Sequence, residues 1–72
     1  MLARALNENQ RAILRELRVS GYPTKTSAAR GISRERDIPE STVKWNYAVL
    51  EEAGVVEDGE LTPAGDWVHR AS

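Results

Sequence analysis

Near the N-terminus, apolar residues recur at the separations of a single helix face: Ile13, Leu14 and Leu17. This spacing predicts an amphipathic helix rather than a strand. Asn7 precedes the run as a favourable N-cap, and Gln10 stands three positions later, where it completes a capping box. Gly21 and Pro23 predict the end of the helix, because glycine suits the C-terminal cap and proline cannot continue a helix.

A second helix is expected to begin near Thr26 or Ser27, since either hydroxyl can cap it. Its inward stripe contains small and branched apolar residues: Ala28, Ala29 and Ile32. Asp37 and Ile38 precede Pro39, and proline disfavours helical backbone in the residue before it. The second helix is therefore expected to end close to Asp37.

A third helix is predicted from about residues 39–41 to Ala53, with Gly54 as its C-terminal stop. Three apolar residues at i, i+4 and i+7 form its inward face: Val43, Tyr47 and Leu50. The positions on the opposite side of this helix are expected to face solvent.

A β-hairpin is predicted next. Residues 55–57 and 60–62 are short runs compatible with strands, and they flank Asp58 and Gly59. Asp-Gly between such runs is a strong local signal for a two-residue hairpin turn. The hairpin is therefore very short.

Thr62 and Pro63 indicate a last short helix, as a cap followed by proline in the first helical position. This helix carries Trp67 and Val68, and we expect Trp67 to cover the core against the first helix. The order helix, helix, turn, helix, hairpin, helix predicts a mainly α fold with a small β-hairpin. We expect one domain over residues 1–72, since so short a chain holds one small core.

Three segments, in order, resemble prokaryotic winged helix-turn-helix transcriptional regulators: residues 32–43, 50–56 and 61–65. The resemblance implies a three-helix core, a short two-stranded wing and a short C-terminal helix. It places the helix-turn-helix at about residues 26–53 and the wing at about residues 55–62. It also implies a cytoplasmic protein that binds double-stranded DNA sequence-specifically through its third helix in the major groove, and so regulates transcription.

The resemblance assigns DNA contacts to eight residues of the second helix, the turn and the third helix: Arg30, Arg34, Arg36, Ser41, Thr42, Lys44, Trp45 and Asn46. Arginine and lysine suit phosphates, hydroxyls at a helix N-terminus suit a phosphate oxygen, and an asparagine can read adenine. Alternatives stay open for several of these residues. Ser41 and Thr42 can simply cap the helix, Lys44 can be a solvated surface lysine, and Arg36 can pair with a neighbouring carboxylate at 35, 37 or 40.

Trp45 lies opposite the inward face of the third helix and is expected to be exposed, beside Ala48 and Val49. An exposed tryptophan next to small apolar residues indicates a contact surface. It can meet thymine methyls in the groove, anchor a protein partner or a second copy through Ala48 and Val49, or fold back onto the domain. The second of these is the basis of an alternative function, a protein-interaction winged helix in a larger nucleic-acid-processing assembly.

Charge is distributed unevenly along the chain, whose net charge is −1. Residues 1–47 hold nine Lys/Arg against five acids, whereas residues 48–72 hold one arginine against six acids. Such a segregated distribution of charge can orient a molecule against a polyanion even though its net charge is close to zero. The predicted wing is acidic at its tip, where a wing that binds phosphate carries Arg or Lys: Glu57, Asp58 and Glu60.

Composition argues against several other classes of protein. The chain has no cysteine and one histidine, so we expect no disulfide and no zinc or other metal site. Its apolar runs are far below the roughly 20 residues of a membrane span, so no membrane association is expected. No nucleophile–base pair, carboxylate dyad or phosphate-binding glycine loop is evident, so we expect neither catalysis nor a cofactor.

Overall fold

The computed structural model describes residues 6–71 of the chain. In this range the elements are α1 (Glu8–Val19), α2 (Lys25–Arg36), α3 (Glu40–Glu52), β1 (Val56–Glu57), β2 (Glu60–Leu61) and α4 (Pro63–Ala71). The two strands form one antiparallel hairpin. The mainly helical class with a small hairpin is thus confirmed. No helix in residues 6–71 is long and apolar enough to cross a membrane.

The N-terminus of α1 is capped as predicted. The Gln10 backbone N–H donates to Asn7 Oδ1 at 2.7 Å, and the Asn7 backbone N–H donates to Gln10 Oε1 at 3.2 Å. This capping box satisfies two donors that a helix start would otherwise leave unpaired. Leu6, just before the cap, is buried in the core.

The start of α2 was predicted two or three residues too late, because Thr24 and not Thr26 or Ser27 is its N-cap. Ser27 instead serves as the partner of the cap. Its backbone N–H donates to Thr24 Oγ1 at 3.1 Å, and the Thr24 backbone N–H donates to Ser27 Oγ at 3.2 Å. A serine three residues after a threonine can therefore close a reciprocal cap that is usually built with Glu or Gln.

A three-residue turn joins α2 to α3. It opens at Asp37, which takes a left-handed conformation with φ 54° and ψ 46°. Asparagine and aspartate tolerate this region better than most residues, so no glycine is needed here. Pro39 occupies the N-cap position of α3. The last helical residue is Glu52, and Gly54, two residues later, has a φ of +79°.

The core lies where α1, α2 and α3 meet the hairpin and α4. It contains apolar side chains from all of these elements: Leu6, Ile13, Leu14, Leu17, Ala28, Ala29, Ile32, Val43, Tyr47, Leu50, Val55, Val56 and Val68. The predicted inward faces of the first three helices are all part of this set. Burying each large aliphatic member stabilises the fold by about 1.5–3 kcal/mol before conformational entropy is subtracted.

The hairpin turn packs against the body of the domain. Asp58 and Gly59 both have positive φ, 49° and 81°, as a two-residue primed turn requires. Gly59 accepts a hydrogen bond from the Tyr22 backbone N–H at 2.9 Å, and its own N–H donates to Tyr47 Oη at 2.8 Å. A Cβ at Gly59 would lie 2.5 Å from the Tyr22 carbonyl oxygen. The tip is therefore held by the α1–α2 loop and by α3.

The orientation of α4 differs from the prediction. Gly65 lies against the start of β1 so closely that a Cβ there would collide with the Val55 carbonyl oxygen. Val68, three residues later on the same helix face, is consequently buried. Trp67 lies on another face and is 63% exposed, so the expectation that it covers the core was wrong. His69 is half-buried in this helix.

Candidate functional site

The side of α3 that faces away from the core is the main candidate surface. At about 100° per residue, the burial of Val43, Tyr47 and Leu50 turns the opposite residues outward. We define the α3 outer face by its exposed residues: Ser41, Lys44, Trp45, Ala48 and Glu52. Trp45 is 65% exposed, which confirms its predicted position and excludes a side chain folded back onto the domain.

A shallow depression on one side of the α3 outer face is lined by Trp45, Ala48 and Glu52 of that face and by the neighbouring Val49. Trp45 contributes its indole ring, and Ala48 and Val49 continue the apolar surface along the next turn. Contiguous exposed apolar side chains of this kind are typical of contact surfaces.

A groove of about 310 Å³ runs beside this depression, between α2 and α3. Residues of both helices line it: Lys25, Thr26, Ala29, Lys44, Tyr47, Ala48 and Glu51. We call it the α2–α3 groove. Two ammonium groups stand at its rim, with Lys25 Nζ 3.8 Å from Glu51 Oε1 and Lys44 Nζ 3.2 Å from Glu40 Oε2. Ala48 therefore borders both the groove and the depression.

Tyr47 connects the α2–α3 groove to the hairpin. Burial raises the pKa of its hydroxyl above the ordinary value of 10.0, and the nearby carboxylates of Glu51, Asp58 and Glu57 act in the same direction. The hydrogen bond from the Gly59 N–H acts in the opposite direction but is outweighed. The phenol therefore stays neutral at neutral pH, and its oxygen holds the hairpin turn.

The charge carried by α3 itself is negative. Glu40, Glu51 and Glu52 oppose one ammonium, Lys44, which is paired with Glu40. An exposed i,i+4 pair of this type contributes only about 0.3–0.5 kcal/mol, so Lys44 can exchange Glu40 for another anion at little cost. Electrostatic attraction to a polyanion must therefore come mostly from neighbouring elements.

Arg30 and Arg34 provide that positive charge. They are exposed one turn apart on α2, and within residues 6–71 neither forms an ion pair or a side-chain hydrogen bond. A cleft beside them is lined by Tyr22 and by the hydroxyl-bearing residues Thr24 and Ser27.

Arg36, the third predicted arginine of this region, is half-buried and engaged elsewhere. Its Nε donates to Glu16 Oε1 of α1 at 3.0 Å, rather than to the local carboxylates weighed as alternatives. The bond ties the C-terminal end of α2 to α1. A phosphate contact by Arg36 would require this ion pair to open.

Asn46 must be removed from the predicted contact residues. It is 4% exposed, and its Oδ1 accepts hydrogen bonds from Gln10 Nε2 at 3.1 Å and Asn7 Nδ2 at 3.2 Å. Its Nδ2 donates to the Thr42 carbonyl at 2.9 Å. With these atoms occupied inside the domain, Asn46 cannot read an adenine. The sequence carried a signal for this, because Asn46 lies three residues after Val43 on the inward face.

Ser41 and Thr42 lie in the first turn of α3. Ser41 is exposed and Thr42 is half-buried. The alternative of plain helix capping does not apply to either, since Pro39 is at the N-cap position and no side chain caps this end. The first backbone N–H groups of α3 are thus open to an external acceptor, with Ser41 Oγ beside them.

No family model, curated protein or solved structure matches the chain. The chemistry of the described residues is therefore the basis for a functional proposal. Within residues 6–71, no group of three His, Asp or Glu side chains is placed to hold a metal ion. What α2 and α3 offer is a surface: an uncapped helix start, an exposed indole and two unpaired guanidinium groups.

Proposed function

We propose that the protein is a winged helix-turn-helix domain that binds double-stranded DNA, with α3 entering the major groove, and that it regulates transcription in the cytoplasm. The observation that carries this proposal is the α3 outer face, which no other part of residues 6–71 covers and which begins with uncapped N–H groups. The major groove admits an α-helix in this orientation. In this arrangement Trp45 meets thymine methyls and sugars, while Ser41 and Lys44 meet phosphate or base edges.

Arg30 and Arg34 supply the contacts to the phosphate backbone. They stand on α2, the helix that crosses the backbone when its successor lies in the groove. The contact set is therefore Arg30, Arg34, Ser41, Thr42, Lys44 and Trp45. The hairpin takes no part, because its turn is acidic and Gly59 is bound to the body of the domain.

So few cations make the binding of one domain weak. Arg30, Arg34 and Lys44 neutralise about three phosphates, so log K should fall with log salt at a slope of about −2.7. Useful affinity then requires two domains on one site or a larger parent protein.

The direct test is fluorescence titration with random-sequence duplex DNA at two salt concentrations. Trp45 and Trp67 are both exposed, so the titration uses a Trp67→Phe variant in which Trp45 is the sole reporter. We expect quenching that weakens as salt is raised. A signal that stays flat at low salt would contradict DNA binding through α3.

A matched pair of arginine variants sharpens this test. Arg34→Gln should lower the salt slope by about one unit, because one phosphate contact is lost. Arg11→Gln removes an arginine from α1 that is also exposed and should leave the slope unchanged. Equal effects of the two variants would mean that the domain attracts DNA by general charge rather than by the surface of α2 and α3.

A second candidate function is binding to a protein partner within a larger nucleic-acid-processing assembly. Two observations favour it: α3 carries more acids than bases, and Trp45, Ala48 and Val49 form a continuous apolar patch. Aromatic anchors surrounded by small apolar residues are typical of protein interfaces. In this case Trp45→Ala abolishes partner binding. Neither the variant nor the wild-type protein then shows a fluorescence change when duplex DNA is added.

A further inference from the structure

A cleft of about 460 Å³ lies along the outer side of α2, beside the side chain of Tyr22. We call it the Tyr22–α2 cleft. Four of its lining residues, Ser27, Arg30, Gly31 and Arg34, follow one another at the three- and four-residue separations of a single helix face. Within residues 6–71 no carboxylate lines this cleft, so its charge comes from the two guanidinium groups.

The missing side chain of Gly31 lets Tyr22 reach this face. A Cβ at Gly31 would collide with Cε2 of the Tyr22 ring and would lie 2.7 Å from its hydroxyl oxygen. The end of the phenol ring therefore lies on the backbone of α2, between the turns that carry Ser27 and Arg34. A glycine inside a helix costs about 1 kcal/mol relative to alanine, and the close approach of Tyr22 is what it permits here.

The hydroxyl of Tyr22 is an available hydrogen-bond donor. In the described part of the chain it has no hydrogen-bond partner. Burial raises its pKa above the ordinary value of 10.0, and the carboxylates of Glu16 and Glu35 act in the same direction. The phenol therefore keeps its proton at neutral pH and adds a third donor to those of Arg30 and Arg34.

These donors suit a tetrahedral anion with two negative charges. A phosphomonoester carries nearly two charges at neutral pH, and its three terminal oxygens accept strong hydrogen bonds. Two guanidinium groups match this charge, and each can donate two parallel hydrogen bonds to phosphate oxygens. The cleft has the volume of a small-molecule site, so it has room for an organic part as well as the phosphate.

We propose that the Tyr22–α2 cleft binds a small phosphomonoester, with its phosphate held by Arg30, Arg34 and the hydroxyl of Tyr22 and its organic part beside the Tyr22 ring. This site requires no DNA. Its effect on DNA binding rests on the proposed function, in which Arg30 and Arg34 contact the phosphate backbone. The ligand then occupies both arginines and lowers the affinity for duplex.

The first test is a titration with phenyl phosphate, followed by the amide signals of the ¹⁵N-labelled protein in NMR spectra. Phenyl sulfate, which has nearly the same shape but only one negative charge, is the matched control ligand. Phenyl phosphate should saturate shifts at residues 27, 30, 31 and 34, and it should bind at least about fivefold more tightly than phenyl sulfate. Equal affinities, or saturable shifts centred on another part of the domain, would overturn the proposal.

The second test assigns the three donors. Arg30→Gln and Arg34→Gln should each raise the dissociation constant of phenyl phosphate about tenfold, since each removes charge-assisted hydrogen bonds. Tyr22→Phe, which keeps the ring, should raise it about fivefold. Arg11→Gln removes an exposed arginine from α1 and should leave it unchanged. An equal effect of Arg11→Gln would mean that the anion is attracted by general charge, and the site would be rejected.

The third test separates this site from DNA binding. Phenyl phosphate added to the complex of duplex and Trp67→Phe protein should reverse the quenching of Trp45, whereas phenyl sulfate at the same ionic strength should reverse it less. Quenching by duplex in a protein that does not bind phenyl phosphate would reject the cleft and keep the DNA proposal. Binding of phenyl phosphate without any response to duplex would do the opposite. Simultaneous binding of both without competition would refute the shared use of Arg30 and Arg34.

Discussion

Trp45 on α3 and Trp67 on α4 are equally exposed, at 65% and 63%, yet the sequence predicts exposure for only one of them. The orientation of α3 follows from a run of buried residues that can be read directly from the chain. That of α4 follows from Gly65, whose missing side chain lets the helix lie against the Val55 carbonyl. A helix oriented by apolar periodicity is predictable, whereas one oriented by a close backbone approach is not.

A side chain at Gly65 should have the largest effect on the orientation of α4. In Gly65→Ala the new Cβ would collide with the Val55 carbonyl oxygen, so α4 must move and Val68 loses its place in the core. We expect the free energy of unfolding to fall by about 3 kcal/mol, as for severe overpacking. Urea unfolding measures this loss.

Gly21→Ala is the matched control. There the nearest atom to a new Cβ is Glu60 Cγ at 3.4 Å, at the edge of ordinary contact, on a flexible side chain. The stability should change by less than about 0.5 kcal/mol. If Gly65→Ala is as mild as this control, the account of how α4 is oriented is wrong.

The orientation of α3 can be tested at Asn46. Asn46→Ala removes the acceptor shared by Gln10 Nε2 and Asn7 Nδ2, which leaves a buried donor unpaired. We expect a loss of about 2 kcal/mol in unfolding free energy, with Trp45 remaining exposed. Thermal or urea unfolding gives the first quantity, and the fluorescence emission maximum of a Trp67→Phe background gives the second. A variant of unchanged stability would show that the polar network does not help to hold α3.

Substitution of each tryptophan should separate the role of α3 from that of α4. Trp45→Ala and Trp67→Ala should each change stability by less than about 1 kcal/mol, because both side chains are largely in water. Their effects on duplex affinity should differ, with about a tenfold loss for Trp45→Ala and none for Trp67→Ala. Fluorescence anisotropy of labelled duplex measures both. Equal losses would move the proposed contact surface away from α3.

The smallest expected effect concerns the link between α4 and α1. The pKa of Asp66 is held below its ordinary value of 3.8, first by the hydrogen bond from Arg70 and also by the charges of Arg70, Arg18 and His69. A lowered folded pKa stabilises the fold above the unfolded value, and this contribution disappears as the pH falls through the folded pKa. The melting temperature should therefore decline slightly less at acidic pH in Asp66→Asn than in the wild type. Identical acid profiles would show that Asp66 makes no such contribution.

Much of the helical structure could be predicted because its causes are local. The Asn7–Gln10 capping box, the Asp58–Gly59 turn and the inward face of α3 each depend on residues a few positions apart, and all three are present. The errors concern partners distant in the chain. Arg36 finds Glu16, 20 residues away, and Asn46 finds Gln10, 36 residues away. No local pattern contains those pairings.

The predicted start of α2 was wrong for a different reason. Thr24, Thr26 and Ser27 are all competent caps, and what selects Thr24 is a reciprocal bond with Ser27. On the candidate surface, exposure of Trp45 and Lys44 was predictable from the α3 period. The pairing of Lys44 with Glu40 lies at i,i+4 and could have been included on the same grounds.

The two hydrogen bonds of Gly59, to Tyr22 and Tyr47, limit which insertions the hairpin turn can accept. One residue joins the α1–α2 loop, the phenol of Tyr47 and the end of the hairpin, so any insertion at that turn must release all three at once. A long basic arm inserted at this turn would thus extend the hairpin but would destabilise the domain. The domain should tolerate substitutions better at the outward positions of α3, where new binding properties can arise without a loss of core packing.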